Sequence, residues 1–254
     1  MPRYFIELAY RGTRYSGFQV QENAVTVQSE VERAFAILHR RPVTLTGSSR
    51  TDAGVHALQN FFHFDDEAVI HPQFVYKMNA ILEEDVVIRR IYPVAAEAHC
   101  RFDATSRKYV YKIHRFRNPF LKGLSYYFPY QLDLDQIQQG AAILLKETNY
   151  FAFAKTNTQV KHYNCTILQS HWELEGEHLS FHIEGNRFLR GMVRLLTATL
   201  LKLGRGKIGM DEFESYFTEE KKCGFSVPAL GLYLEKVSYP QNYFPATDGH
   251  FTLF

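Results

Sequence analysis

Twice along this chain, apolar residues recur with the period of a strand and then with that of a helix, and this order limits the folds open to it. Tyr4, Ile6, Leu8 and Tyr10 alternate with Phe5, Glu7 and Ala9. Thr26 then stands where it can cap a helix whose apolar stripe is Val27, Val31, Ala34, Phe35 and Leu38. Residues 43–46 and 61–64 read as further strands, Pro72 suits the first turn of a helix running to about Leu82, and residues 86–94 read as another strand. The second run begins with a strand at 107–116. Asp133 can cap a helix carrying Ile137, Ala141, Leu144 and Leu145, and residues 165–174 and 179–184 suit a hairpin around Glu175-Gly176-Glu177. A long helix is expected from about Arg187 to Leu203, ended by Gly204. A short helix at 211–217 and a strand at 230–237 follow. Strands with interposed helices make an α+β fold. The expected division is 1–103 and 104–254. No Gly/Ser-rich linker separates the halves, which favours two similar halves sharing one extended, mostly antiparallel sheet, with helices on one face.

Bulk properties exclude several classes. The apolar content of 46% suits a soluble chain with a sizeable core. The net charge of +2 does not announce a nucleic-acid partner, although whole-chain charge can hide a local patch. Cys100, Cys165 and Cys223 have no CxxC or metal-type spacing and read as free thiols. No apolar run is long enough to span a bilayer, and the chain starts directly with strand-like sequence. A soluble, cytoplasmic protein without membrane association is the expectation. Gly204-Arg205-Gly206-Lys207 lacks the preceding strand of a phosphate-binding loop. Asp52, His56 and His63 can be imagined as metal ligands, but no HExxH-type spacing supports them, so no metal is expected.

Three segments can carry chemistry. The first is Gly47-Ser48-Ser49-Arg50-Thr51-Asp52-Ala53-Gly54-Val55-His56-Ala57, which sets a guanidinium, a carboxylate and a glycine within five residues. A carboxylate beside a guanidinium stays ionised even in a closed site, and can then act as nucleophile or base. The bland alternative is an ordinary Asp-x-Gly turn. In an extended loop Arg50 and Asp52 project to the same side, which suits either an ion pair or a role for Arg50 toward a ligand. The second segment runs from Arg101 to Tyr111. On a strand, Tyr109 and Tyr111 face one way and Lys108 and Lys112 the other. Between residues 101 and 122 Asp103 is the sole acid, among Arg101, Arg107, Lys108, Lys112 and further bases. Bases interleaved with aromatics suit RNA, and a solvated edge strand would look similar. The third is Asn186-Arg187-Phe188-Leu189-Arg190-Gly191-Met192-Val193-Arg194. At helical spacing Arg187, Arg190 and Arg194 group opposite an apolar face, and no acid lies between Arg187 and Lys207.

These segments also carry a resemblance. Arg50-Thr51-Asp52-Ala53-Gly54-Val55-His56 is similar to the signature of the tRNA pseudouridine synthase A (TruA) family. Tyr10-Arg11-Gly12-Thr13, Tyr15-Ser16-Gly17-Phe18-Gln19, the Phe-Leu-x-x-Met-Val-Arg pattern ending at Arg194, and Gly231-Leu232-Tyr233-Leu234 extend the match over most of the chain. Ser49 stands where the family usually has glycine. The resemblance implies the pseudouridine synthase fold, with a basic RNA-binding cleft opposite the helices. It implies isomerisation of uridine to pseudouridine on the 3′ side of the tRNA anticodon stem-loop, without cofactor, by a homodimer. Asp52 becomes the essential aspartate, acting at ribose C1′, at uracil C6 or on the sugar. Tyr109 becomes the tyrosine that stacks on the target base, and Arg194 the ion-pair partner of Asp52. Arg50 enters the RNA where a base has left the stack. Leu232 or Leu234 lines the uracil site, and Arg14, Arg101, Arg107, Lys108, Lys112, Arg187 and Arg190 contact RNA. A tRNA-binding protein or RNA chaperone of the same fold without catalysis is the runner-up, and a metal-dependent hydrolase a third reading.

Overall fold

The structure, a computed structural model, describes residues 1–67, 70–156 and 160–245. The chain divides into two compact units, Met1–Thr105 with the residues from Leu234 on, and Ser106–Tyr233.

The first unit contains β1 (Arg3–Tyr10), α1 (Val27–His39), the two-residue β2 (Thr46–Gly47), β3 (His56–Asp65), α2 (Phe74–Ile81) and β4 (Val86–Val94). β1 pairs antiparallel with β3 on one side and β4 on the other, and β2 pairs with β3. Thr26 starts α1 as its sequence suggests. Its Oγ1 accepts the Ser29 amide at 3.1 Å, while Ser29 Oγ accepts the Thr26 amide at 2.9 Å. Such reciprocal caps contribute about 1 kcal/mol. On one face Tyr4 stacks on Phe64, whose ring meets Phe35 of α1, and Phe35 in turn meets Phe74 of α2. The opposite face is apolar too. Phe5 and Phe61 are buried there because the chain beyond residue 238 returns over them, with Tyr239 at 5.8 and 5.2 Å and Phe244 stacked on Phe61 at 5.7 Å. Glu7, buried on this face, accepts hydrogen bonds from Gln59 and Tyr92 at 3.0 and 2.8 Å.

The second unit contains β5 (Ser106–His114), β6 (Tyr126–Tyr127), α3 (Leu134–Ile143), β7 (Ile167–Glu175), β8 (His178–Gly185), α4 (Met192–Gly204) and α5 (Met210–Thr218). β9 (Leu232–Ser238) starts in this unit and runs into the first. β8 lies antiparallel between β5 and β7, and β6 is parallel to β5. Asp133 caps α3, accepting the Gln136 amide at 2.9 Å. Helices α3 and α4 approach closely through glycine. A Cβ on Gly140 would lie 2.7 Å from Leu203, and one on Gly204 only 2.4 Å from Ile137. Helix α4 is buried at every residue except Arg194 and Lys202.

The α+β class with mainly antiparallel strands is the one the sequence predicts. Local departures have local causes. The strand expected at 43–46 shrinks to Thr46–Gly47. Side chains of α1 take the backbone groups of Leu45 instead: its amide donates to Glu32 at 3.0 Å, and its carbonyl accepts from Gln28 at 2.8 Å. The helix expected from Arg187 begins at Met192, because Gly191 at φ +74° breaks the right-handed path. Arg187 and Arg190 therefore precede α4 and do not share a helix face with Arg194. No helix among the described residues is long and apolar enough to cross a membrane.

His63 tests the burial of the first unit. Its Nδ1 lies 3.2 Å from Cys100 Sγ, and burial, aided by His99 and Arg3, pushes its pKa from 6.5 down to about 4. Between these values the unfolded chain binds the extra proton. The stabilisation is complete above pH 6.5 and is lost as pH falls toward 4. Urea unfolding at pH 7 and pH 4.5 should show wild-type protein losing about 1–3 kcal/mol more than His63→Gln. Equal losses in the two proteins would contradict this placement.

Candidate active site

The loop between β2 and β3 carries Asp52, and backbone contacts from elsewhere in the first unit hold it at several points. Ser48 donates its amide to Phe61 O at 2.8 Å, and Val55 donates to Asp52 O at 3.1 Å, closing a turn in which Gly54 has φ +79°. The segment 11–18 lies against this turn. The Phe18 amide donates to Thr51 O at 3.1 Å. A Cβ on Gly12 would sit 1.9 Å from the Val55 carbonyl oxygen, so only glycine fits there. Gly17, at φ +106°, brings its Cα to where a Cβ would lie 3.1 Å from Thr51 O. The first amides of α1 secure this segment in turn, with Val27 donating to Gly17 O at 3.1 Å and Gln28 to Phe18 O at 2.9 Å. The Phe18 ring stacks on Phe62 at 4.5 Å.

Buried side chains complete the support. Asn60 Nδ2 donates to Ser49 O at 2.8 Å and to the Tyr10 hydroxyl at 3.2 Å. The Tyr10 hydroxyl also shares a hydrogen bond with Thr51 Oγ1, 2.8 Å away. The Gly12 amide donates to His56 Nδ1 at 3.1 Å, which places the proton of a neutral His56 ring on Nε2. Thr51, Val55 and His56 are buried, Asp52 is half-buried and Arg50 is exposed. The loop is thus anchored at both ends, with its carboxylate at the margin between core and solvent. Sequence reasoning missed Asn60. The signal was an amide side chain next to Phe61-Phe62 in a strand, since a buried amide must find partners. Ser49 Oγ is buried and has no hydrogen-bond partner among the described residues.

Arg50, Arg14 and Arg101 belong to the same unit as Asp52. Arg14, itself exposed, lies 3.7 Å from the exposed Glu83 and 3.6 Å from the largely covered Asp85. Arg101 extends over the exposed Phe102 ring. The remaining candidates belong to the second unit. Tyr109 is buried and meets Phe188 edge-on at 5.1 Å. Arg194 Nε donates to Val227 O at 2.8 Å, and Arg107 donates to Asn186 O at 3.0 Å. Lys108 pairs in register with Glu184, Lys112 lies 4.6 Å over the Tyr233 ring, and Arg187 is 3.2 Å from His162 Nε2. Arg190 is exposed and Leu232 is buried at the start of β9. Two clusters of the described residues bring potential metal ligands together, His63 with His99 and Cys100, and His171 with Glu173 and His182. Asp52 and His56 belong to neither cluster.

The chain as a whole is similar to known proteins along nearly its entire length. Residues 8–103 and 141–240 fit the family described as tRNA pseudouridine synthase. The chain is 42% identical over 252 residues to tRNA pseudouridine synthase A of Parabacteroides distasonis, covering 98% of this chain and 100% of that protein. It is 40% identical over 251 residues to the protein of that name from Porphyromonas gingivalis, covering 96% and 100%. Against that of Staphylococcus aureus it is 35% identical over 245 residues, covering 94% and 92%. The chain belongs to the tRNA pseudouridine synthase family.

The contact between segment 11–18 and the Asp52 loop is directly testable. Gly12→Ala forces the Val55 carbonyl away and should destabilise the chain by about 1–3 kcal/mol in urea unfolding. Tyr10→Phe removes the hydroxyl between Asn60 and Thr51 and should cost a similar amount. A Gly12→Ala protein as stable as wild type would show that the two segments do not touch as described.

Proposed function

We propose that this protein isomerises uridine to pseudouridine in tRNA, on the 3′ side of the anticodon stem-loop, with Asp52 as the essential carboxylate. The carrying observation is that the family signature falls on the one loop held by Phe18, Tyr10, Asn60 and Gly12, with Asp52 at its half-buried margin. Relatives named tRNA pseudouridine synthase A match over nearly their whole length and support the substrate.

In this reaction the bond from uracil N1 to ribose C1′ breaks and one from C5 to C1′ forms. The C5 proton leaves to solvent and N1 gains a proton. Atoms and oxidation state balance without a co-reactant, so the reading requires no cofactor. A stacked base is out of reach of a protein carboxylate, and extruding it costs a few kcal/mol. Arg50, exposed two residues before Asp52, is assigned to the space the base leaves. A fixed loop lowers the barrier by holding the carboxylate in place before substrate arrives. The resemblance gives Tyr109 the role of stacking on the target base, Arg194 that of ion-pair partner of Asp52, and Leu232 that of lining the uracil site. It also implies a homodimer acting in the cytoplasm.

Transcribed tRNA carrying tritium at uridine C5 provides the test. Wild-type protein should release the label with or without chelator, and Asp52→Ala should release none while binding the tRNA with unchanged affinity. Undiminished release by Asp52→Ala would refute the role of Asp52. Salt-sensitive binding with no release by wild type would leave an RNA-binding protein, and release abolished by chelator would point to a metal-dependent reaction.

A further inference from the structure

Between β5 and β6 the chain leaves the strand and displays two phenyl rings to solvent. Phe120 is 87% exposed, the highest value among the large apolar residues described, and Phe116 is 61% exposed. This excursion is held in shape. Asn118 Oδ1 accepts the Phe120 amide at 3.0 Å, and Pro119 opens a single 3₁₀ turn over Pro119–Leu121. Leu121 O accepts the Leu124 and Ser125 amides at 3.0 and 3.2 Å, and Gly123 reverses the chain at φ +75°. The returning end is pinned: Tyr233 donates to Leu124 O at 2.6 Å, and His114 Nδ1 lies 3.1 Å from Ser125 Oγ. Phe120 therefore sits on a braced turn, with little backbone freedom left to lose on binding.

Charge identifies what the ring is for. Residues 115–125 contain Arg115, Arg117 and Lys122 and no acid. None of the three is paired with a carboxylate among the described residues. An apolar protein surface would leave these cations uncompensated. A polyanion with flat aromatic faces satisfies both the ring and the charges.

We propose that residues 115–122 form a second RNA contact. In it Phe120 stacks on an unpaired nucleobase other than the target uridine, and Arg115, Arg117 and Lys122 meet the flanking phosphates. The proposal rests on tRNA being the substrate. It makes Phe120 a substrate-binding residue with no part in the bond-breaking step, which contributes to affinity and leaves the rate of chemistry alone.

Steady-state kinetics of tritium release from full-length tRNA test this, using wild type, Phe120→Ala and Phe120→Trp. Phe120→Ala should raise KM about tenfold with kcat unchanged, and Phe120→Trp should stay near wild type, because stacking needs only a ring. Replacing Arg117 and Lys122 together by glutamine should lower the slope of log affinity against log salt by about 1–2. An unchanged KM in Phe120→Ala, on a background where wild type turns over, would overturn the proposal. So would a change in the sedimentation of the RNA-free protein without a change in KM, because the ring would then seat on a second copy of the chain. Absence of turnover in wild type would instead overturn the tRNA reading on which the proposal rests.

Discussion

The hydrogen bond from the Phe18 amide to the Thr51 carbonyl, 3.1 Å long, is the constraint on which the candidate site depends. A loop that carries a reactive carboxylate has few apolar side chains to bury, so packing alone cannot fix it. Here the loop borrows rigidity from its neighbour. Segment 11–18 is held by the first amides of α1, and it passes that order to Thr51 and Val55 through contacts that require glycine at residue 12. Two glycines give up chain entropy so that backbone can lie on backbone. The result is an ordered backbone on either side of Asp52, which is what the role proposed for this carboxylate requires.

The first unit also shows how a strand can be apolar on both faces while its sequence alternates. Tyr4 and Tyr10 belong to the face that meets the helical layer and Phe18. Phe5 and Phe61 belong to the face covered by Tyr239 and Phe244, which come from the far end of the chain. Glu7 breaks the apolar run on that second face, and its burial is compensated by Gln59 and Tyr92. The residues after β9 thus finish the core of the unit that contains the chain's beginning.

Features set by neighbouring residues were legible in the sequence. β4 follows the expected 86–94, and Thr26 and Asp133 cap the helices expected of them, because period and cap chemistry are local. The Asp52 loop was legible through its motif. What escaped depends on partners distant in sequence or on handedness. Gln28 and Glu32 claim the backbone of Leu45, Asn60 reaches back to Tyr10, and Gly191 takes a left-handed conformation that apolar spacing does not reveal. The basic residues were the least legible. Arg187 and Arg190 looked helical from their spacing, whereas their places follow from the break before Met192.

Native-state hydrogen exchange at the amides of Ser48, Phe18 and Val55, followed without RNA, tests the central claim most directly. If the Asp52 loop is built before substrate arrives, these three amides are protected to within about tenfold of those at the centres of β1 and β3, opening only with the fold itself. Exchange at the rate of an open loop would contradict it, and would mean that the carboxylate is positioned only after RNA binds.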